Sequence, residues 1–258
     1  MNNTDYLELI ELSIGHVGVR HPLFQHISTY INKGELIGLF GCNGIGKSTL
    51  LKTLSGLLPP VGGKVLLFGH DMRMLSPVDI AKQIAFVPTH PFRIHRLSVV
   101  DLVRAGRYGF TNWIGIEQKS DKEAINKALE ATTISHLASR DCSTLSDGEL
   151  QRASIARSLA QNTPIILLDE PTAFLDTGNK YRVVHLLKEL AHKEQKGILF
   201  STHDLTLALQ VCDILWVMEE DGFYAQTPNK LIEQGVFHKI FNAFGLSFDH
   251  HTLGFTLN

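Results

Sequence analysis

The stretch Gly41-Cys42-Asn43-Gly44-Ile45-Gly46-Lys47-Ser48-Thr49 sets two glycines, with four residues between them, directly before Lys and Ser. This is the spacing of a phosphate-binding loop. Glycine at 41, 44 and 46 lets backbone N–H groups come within hydrogen-bond reach of phosphate oxygens, because no Cβ stands in the way. The helix that follows such a loop presents unpaired N–H groups carrying partial positive charge. Lys47 brings a full charge to β- and γ-phosphates, and the Ser48 hydroxyl is placed to ligate Mg²⁺.

Three further stretches carry groups that complement this loop. Asp169-Glu170 ends the apolar run Ile165-Ile166-Leu167-Leu168. Ligands of parallel sheets bind beyond the C-terminal strand ends, so both carboxylates should face the phosphate loop. Asp169 is then the acid on the Mg²⁺ side. Glu170 is placed to act as general base toward the attacking water. Leu145-Ser146-Asp147-Gly148-Glu149 has capping-box spacing between Ser146 and Glu149. It reads as a well-capped helix start and, with Gly for close approach, as an anion site. Ser201-Thr202-His203-Asp204 follows another strand, and His203 is a candidate hydrogen-bond donor to a γ-phosphate.

The elements that must position these groups are legible in the apolar pattern. Leu36 to Phe40 is a buried-strand run, and Lys47 to Leu58 carries leucines at helical spacing until Pro59-Pro60. Residues 7–12 and 24–31 read as strands, as do 64–69, 84–87, 165–168, 197–200 and 213–218. Met74 to Gln83 reads as a short helix. From Thr89 the texture changes: helices are predicted at about 98–107 and 121–137, with a third starting near Ser146, and no strands between them. That is a helical insertion into an α/β domain. Residues 108–113 carry no clear pattern. A helix is predicted at 179–193, a short one after Asp204, a turn at Asp221-Gly222, and a helical stretch over 229–244. The tail holds Phe237, Phe241, Phe244, Phe248 and Phe255.

Composition bounds the function. A chain of 258 residues, 44% apolar and 19% charged, is ordinary for a globular protein. A net charge of −2 argues against a broad nucleic-acid surface. No apolar run reaches the ~18 residues needed to cross a bilayer, and the polar start Met-Asn-Asn-Thr-Asp-Tyr has no signal-peptide character. Three widely spaced cysteines, Cys42, Cys142 and Cys212, suit a reducing compartment without a disulfide framework or a Cys-based metal site. The thirteen His are scattered, and the adjacent pair His250-His251 reads as surface. Cys42, near a helix N-terminus and Lys47, is expected to favour thiolate, although the loop position uses its backbone alone.

Taken in order and spacing, the phosphate loop, Leu145–Glu149, Leu167–Thr172 and Ser201–Asp204 resemble the ATP-binding cassette of ABC transporters, over roughly residues 6–235. The resemblance implies a RecA-like phosphate-loop NTPase core of α/β class, with an antiparallel β subdomain and an inserted α-helical subdomain. Residues 1–258 would form one cassette: core and β subdomain at about 1–90 and 160–235, helical subdomain at about 91–159, tail at about 236–258. It implies ATP and Mg as ligands, with Gly41 to Thr49 on the triphosphate and Glu170, His203 and Lys47 catalytic. It further implies a head-to-tail homodimer in which Ser146, Gly148 and Glu149 face the partner's ATP and Asp176 lies on the loop crossing the interface. With no spanning segment, separate integral membrane permease subunits are implied. A substrate-binding protein would act indirectly, and the chain would sit peripherally on the cytoplasmic face of the cell membrane.

Val100 to Tyr108 and Pro171 to Asp176 are similar to the corresponding stretches in importers of iron–siderophore complexes, haem and cobalamin. A soluble cassette serving a protein assembly, as in iron–sulfur cluster biogenesis, shares every ATP motif and is the alternative. Three positions depart from the family's pattern. Thr89, followed by His90, stands where a Gln is usual. Asp147 stands at a signature position that is usually Gly. His16 stands where a Tyr usually stacks on adenine, which predicts weaker base recognition.

Overall fold

A computed structural model describes residues 5–15, 21–90, 93–109, 118–242, 246–249 and 254–257. The chain opens on β1 (Asp5–Ile14) and β2 (Phe24–Asn32), then runs through β3 (Leu36–Gly41) and the phosphate loop into α1 (Lys47–Leu54). β4 (Gly62–Leu67), β5 (His70–Asp71), α2 (Pro77–Ala81) and β6 (Ile84–Val87) follow. Then come α3 (Val99–Arg104), α4 (Lys119–Ala131) and α5 (Asp147–Gln161), with no strand between them among the described residues. Alternation resumes with β7 (Ile165–Leu168), α6 (Thr177–His192), β8 (Gly197–Ser201), α7 (Leu205–Val211), β9 (Ile214–Glu219) and β10 (Gly222–Gln226). The chain closes on α8 (Pro228–Glu233), α9 (Val236–Asn242) and the hairpin of β11 (Leu246–Asp249) and β12 (Gly254–Leu257).

Six strands form the central sheet in the order β10-β9-β3-β8-β7-β6. The neighbours from β9 to β6 pair in parallel and β10 pairs antiparallel to β9. The strand order places β3, which feeds the phosphate loop, beside β8, and β8 beside β7, whose end carries Asp169. A second, antiparallel sheet runs β2-β1-β4-β5.

Period-two alternation splits the central strands between two cores. Ile37, Leu39, Ile165, Leu167, Leu199, Trp216 and Met218 pack with α1 and the antiparallel sheet. Leu36, Phe40, Ile166, Leu168, Ile198, Phe200, Leu215 and Val217 pack with the helices of the opposite face. Strands buried on both faces read as continuous apolar runs, which is why β3 and β7 are so plain in the sequence. A third cluster, built on Val99, Val103, Leu129, Leu150 and Ala156, lies within α3–α5.

Several boundaries differ from the predicted ones. The first helix stops at Leu54 rather than Leu58, because Gly56 turns left-handed at φ +76°. The predicted 229–244 helix is two helices, divided at Gly235 with φ +69°. The helix predicted over 121–137 ends at Ala131, and residues 135–137 form a separate 3₁₀ turn. The turn at Asp221-Gly222 leads into β10, whose residues are all half-buried, so no alternation announced the strand. In the tail, Phe237 and Phe248 are buried in the main core with ring centroids 5.6 Å apart. His16 and the pair His250-His251 lie outside the described residues.

Candidate functional site

Gly41 ends β3 so close to β9 that an added Cβ would stand 2.6 Å from the Met218 carbonyl oxygen. Gly46 caps α1 at φ +118°, where a Cβ would also meet the Leu23 side chain at 2.9 Å. Only glycine fits both demands at position 46. The loop between them borders a cavity of ≈ 320 Å³ lined by Gly44, Gly46, Lys47, Ser48 and Thr49, with Asn43 and Leu23 at its edge and Glu170 opposite. Ser48 is exposed to the cavity while Thr49 is buried.

Lys47 is folded over its own loop. Its Nζ donates to the carbonyls of Gly41 at 2.7 Å and Cys42 at 3.1 Å. Burial pulls its pKa below the ordinary lysine value, opposed chiefly by the negative charge of Glu170 and further by Cys42 and Asp169. The ammonium is thus the local positive charge on a site edged with carboxylates. Cys42 is exposed, and its thiol is pushed up rather than down. Partial burial and the Glu219 carboxylate outweigh Lys47, so the expectation is reversed: these surroundings disfavour the thiolate.

One residue to which the sequence motifs assign no role, Ser201, holds the Asp169 carboxylate and the Glu170 backbone. Ser201, fully buried at the end of β8, donates its hydroxyl to Asp169 Oδ1 at 2.7 Å. Ser201 Oγ in turn accepts the Glu170 N–H at 2.8 Å. Asp169 N–H in turn donates to the Val87 carbonyl at 2.8 Å. Glu170 adopts a left-handed backbone at φ 47°. A non-glycine residue there costs about 1–2 kcal/mol, and the Ser201 bond is part of what holds it. His203 Nδ1 lies 3.6 Å from Glu170 Oε2, on the tight turn between β8 and α7, where Asp204 caps the helix.

Among the described residues, no three His, Cys, Asp or Glu side chains converge as a metal cage. Ser48 lines the cavity and Asp169 lies within electrostatic reach of Lys47, so their oxygens are the donors that would serve a divalent cation. That sparse oxygen set fits Mg²⁺, which keeps few protein ligands and completes its shell with water and substrate phosphates.

The signature residues stand apart from this group. Ser146 caps α5 through the predicted capping box, accepting the Glu149 N–H at 3.3 Å while Glu149 Oε2 accepts the Ser146 N–H at 2.8 Å and its hydroxyl at 2.9 Å. These bonds hold the Glu149 carboxyl below the usual carboxylate range. A Cβ on Gly148 would lie 3.1 Å from the Leu175 side chain. None of Ser146, Gly148 and Glu149 lines the phosphate-loop cavity of its own chain. Asp176 is exposed and caps α6, accepting the Asn179 backbone N–H at 2.9 Å and its side-chain amide at 2.6 Å. Thr89 is half-buried just beyond β6, and the ring of His90 packs on Phe174 at 5.1 Å.

A phosphate loop at the end of a central parallel strand, with Glu170 on its cavity and Asp169 beside it, and a helical insertion whose last helix starts at a capped, glycine-bearing turn, define an ATP-binding cassette. Comparison with known proteins agrees. Residues 24–173 match the ABC transporter family. The chain is 39% identical over 221 residues to the "Probable siderophore transport system ATP-binding protein YusV" of Bacillus subtilis (strain 168), covering 85% of this chain and 80% of that one. It is 38% identical over 220 residues to the petrobactin import ATP-binding protein FpuD of Bacillus anthracis, covering 85% and 81%. The solved structure of cbiO1 from Clostridium perfringens, part of the transporter complex cbiONQ, superposes with a TM-score of 0.76 at 27% identity, covering 93% of this chain and 95% of that one. The chain belongs to the ABC transporter family. It is an ATP-binding, ATP-hydrolysing subunit of that class.

Proposed function

We propose that this chain energises import of a metal chelate of the iron–siderophore, haem or cobalamin kind through separate integral membrane permease subunits. The observation that carries the reading is the pairing of a phosphate-loop site with similarity, over 85% of this chain, to a siderophore transport and a petrobactin import ATP-binding protein. No helix of the described residues is long and apolar enough to cross a membrane, which supports a peripheral subunit and distinct permeases. The expected position is the cytoplasmic face of the cell membrane, with a substrate-binding protein acting indirectly. One cassette is proposed, with core and β subdomain over about 1–90 and 160–235, helical subdomain over about 91–159 and a tail from about 236.

The residues have the following proposed roles. Backbone N–H groups of Gly41 to Ser48 and the Lys47 ammonium hold the triphosphate. Ser48 and Asp169 would hold Mg²⁺, which offsets charge on the phosphates when bound. Glu170 takes a proton from the attacking water as the water oxygen bonds to the γ-phosphorus and the bond from that phosphorus to the β–γ bridging oxygen breaks, leaving ADP and phosphate. His203, 3.6 Å from Glu170, donates to the γ-phosphate. Ser146 and Gly148, remote from their own chain's cavity, complete a second copy's site, so the working form is a head-to-tail homodimer with two ATP sites. Ser146 then turns its hydroxyl from Glu149 to the phosphate. Asp176 lies on the loop at that interface.

Co-purification tests the reading. The tagged chain, extracted gently from native membranes, should bring a polytopic permease in near-equal amount. Recovery from the soluble fraction with a non-membrane scaffold protein would overturn the importer role in favour of a soluble assembly ATPase. The ATP-site roles would survive that outcome.

A further inference from the structure

The first turn of α5 carries two carboxylates, Asp147 and Glu149. Each opposes the partial positive charge of the helix end and would repel a polyphosphate approaching it. Glu149 is occupied by the capping box and lies 3.8 Å from Arg140 Nη1. Asp147 caps nothing, and its side chain is 66% exposed. Its recorded partner is Arg93, from the segment that leaves β6 beside Asp169. Arg93 Nη2 donates to Asp147 Oδ1 at 2.5 Å, and Nη1 donates to the Leu145 carbonyl at 2.7 Å. Arg140 grips the preceding residue, donating to the Thr144 carbonyl at 3.0 Å and hydroxyl at 3.1 Å. Two planar guanidiniums therefore hold consecutive residues of the turn that delivers Ser146, and each faces one of the two acids.

We propose that Arg93 is a positioning residue for the composite ATP site: it neutralises Asp147 and fixes the Leu145 carbonyl, so that the Ser146–Gly148 end of α5 accepts a second copy's triphosphate despite its acidic first turn. This rests on reading that helix end as the partner's phosphate contact. The departure at Asp147 and the arginine 54 positions earlier form one device. An ion pair this exposed adds little to fold stability. Its effect is on the field at the helix end, where an unpaired carboxylate would face the incoming anion. Loss of Arg93 therefore impairs closure of the dimer over ATP while leaving the phosphate loop of each chain intact.

The test is Arg93→Gln in the full chain, with steady-state ATP hydrolysis measured beside binding of an N-methylanthraniloyl ATP analogue to dilute chain. The expected result is a kcat lower by about tenfold, from like-charge juxtaposition, with analogue affinity and melting temperature unchanged. The deficit relative to wild type should shrink as salt rises towards 1 M, where the screening length falls to about 3 Å. Adding Asp147→Asn should restore most of the lost rate. A wild-type kcat in Arg93→Gln overturns the proposal, as does a deficit indifferent to both salt and Asp147→Asn. Gly148→Asp separates the two layers. If it leaves hydrolysis untouched while the analogue still binds, the reading of the helix end fails. If it abolishes hydrolysis and Arg93→Gln is harmless, Arg93 alone loses its role.

Discussion

Replacing Ser201 with alanine should damage both the fold and the chemistry, by amounts that follow from its two bonds. The hydroxyl donates to Asp169 at 2.7 Å and accepts from Glu170 N–H at 2.8 Å, in a fully buried position. A hydrogen bond to a charged group contributes about 1.5–3 kcal/mol, and an orphaned buried N–H costs about 1–3 kcal/mol. The two terms share one atom and do not simply add, so about 3 kcal/mol is expected. For a chain of this size that lowers the melting temperature by roughly 6–12 °C. The chemical effect has a different origin. Glu170 is held at φ 47°, and release of its N–H lets the backbone relax and carries the carboxylate off its line to the cavity. A positioned general base contributes about 10²–10⁴ in rate, so kcat should fall about 100-fold. Nucleotide binding, made by the phosphate loop, should be kept. Differential scanning calorimetry and steady-state hydrolysis read the two effects separately. A melting temperature within about 2 °C of wild type would refute the energetic reasoning. A lowered melting temperature with wild-type kcat would show that the bridge supports the fold and does not aim Glu170.

Three other outcomes are expected. Glu170→Gln should bind ATP yet hydrolyse it at least about 100-fold more slowly, and accumulate an ATP-dependent dimer on gel filtration; wild-type turnover would remove Glu170 as base. Alkylation of Cys42 should be slow at neutral pH, because its thiol is pushed up by burial and by Glu219, and Mg-ATP should slow it further; a rate indifferent to nucleotide would place the thiol outside the loop's reach. Asp121, buried, accepts Gln118 N–H at 2.9 Å and Arg107 Nε at 2.8 Å, which hold its carboxyl below the usual range. The unfolded chain therefore keeps that proton to higher pH than the folded one. The stabilisation is complete above the ordinary carboxylate value, about 3.9, and is lost as pH falls through the lower folded value. Asp121→Asn, which removes the buried carboxylate facing Arg107, should cost about 3 kcal/mol at pH 7, and the gap between the urea midpoints of variant and wild type should narrow by pH 3.

Short-range order explains what was readable. The phosphate loop works through its own backbone, so glycines, Lys47 and Ser48 at fixed spacing announce it without reference to the rest of the chain. The capping box of Ser146 and Glu149 closes over three residues, and strands β3 and β7 show as apolar runs because both faces are covered. The loop and the capping box join residues a few positions apart, and the two strands show in residue type alone, so pattern in one dimension suffices for all of them. Glycine breaks are local too: each of the two stretches predicted as one helix, 47–58 and 229–244, holds a single glycine, and that residue takes the positive φ that ends the helix.

Tertiary structure decided the rest, because the partners are far apart in the chain. Ser201 meets Asp169 and Glu170 across 32 and 31 positions, when β8 pairs with β7. Leu23 reaches the phosphate loop because β2 folds back onto β1. The Cys42 thiol looked acidic from its neighbours in sequence, Lys47 and a helix start. The fold brought Glu219 beside it and covered it in part, and desolvation with a nearby carboxylate outweighed the lysine. Asp147 read in sequence as a departure from the family's pattern, and nothing in the sequence singled out Arg93. The pairing that gives both a purpose exists only once the segment after β6 lies against the start of α5. The sequence by itself determined which chemistry the chain carries. The tertiary structure decided which charges that chemistry meets, because electrostatic environment is set by neighbours in space.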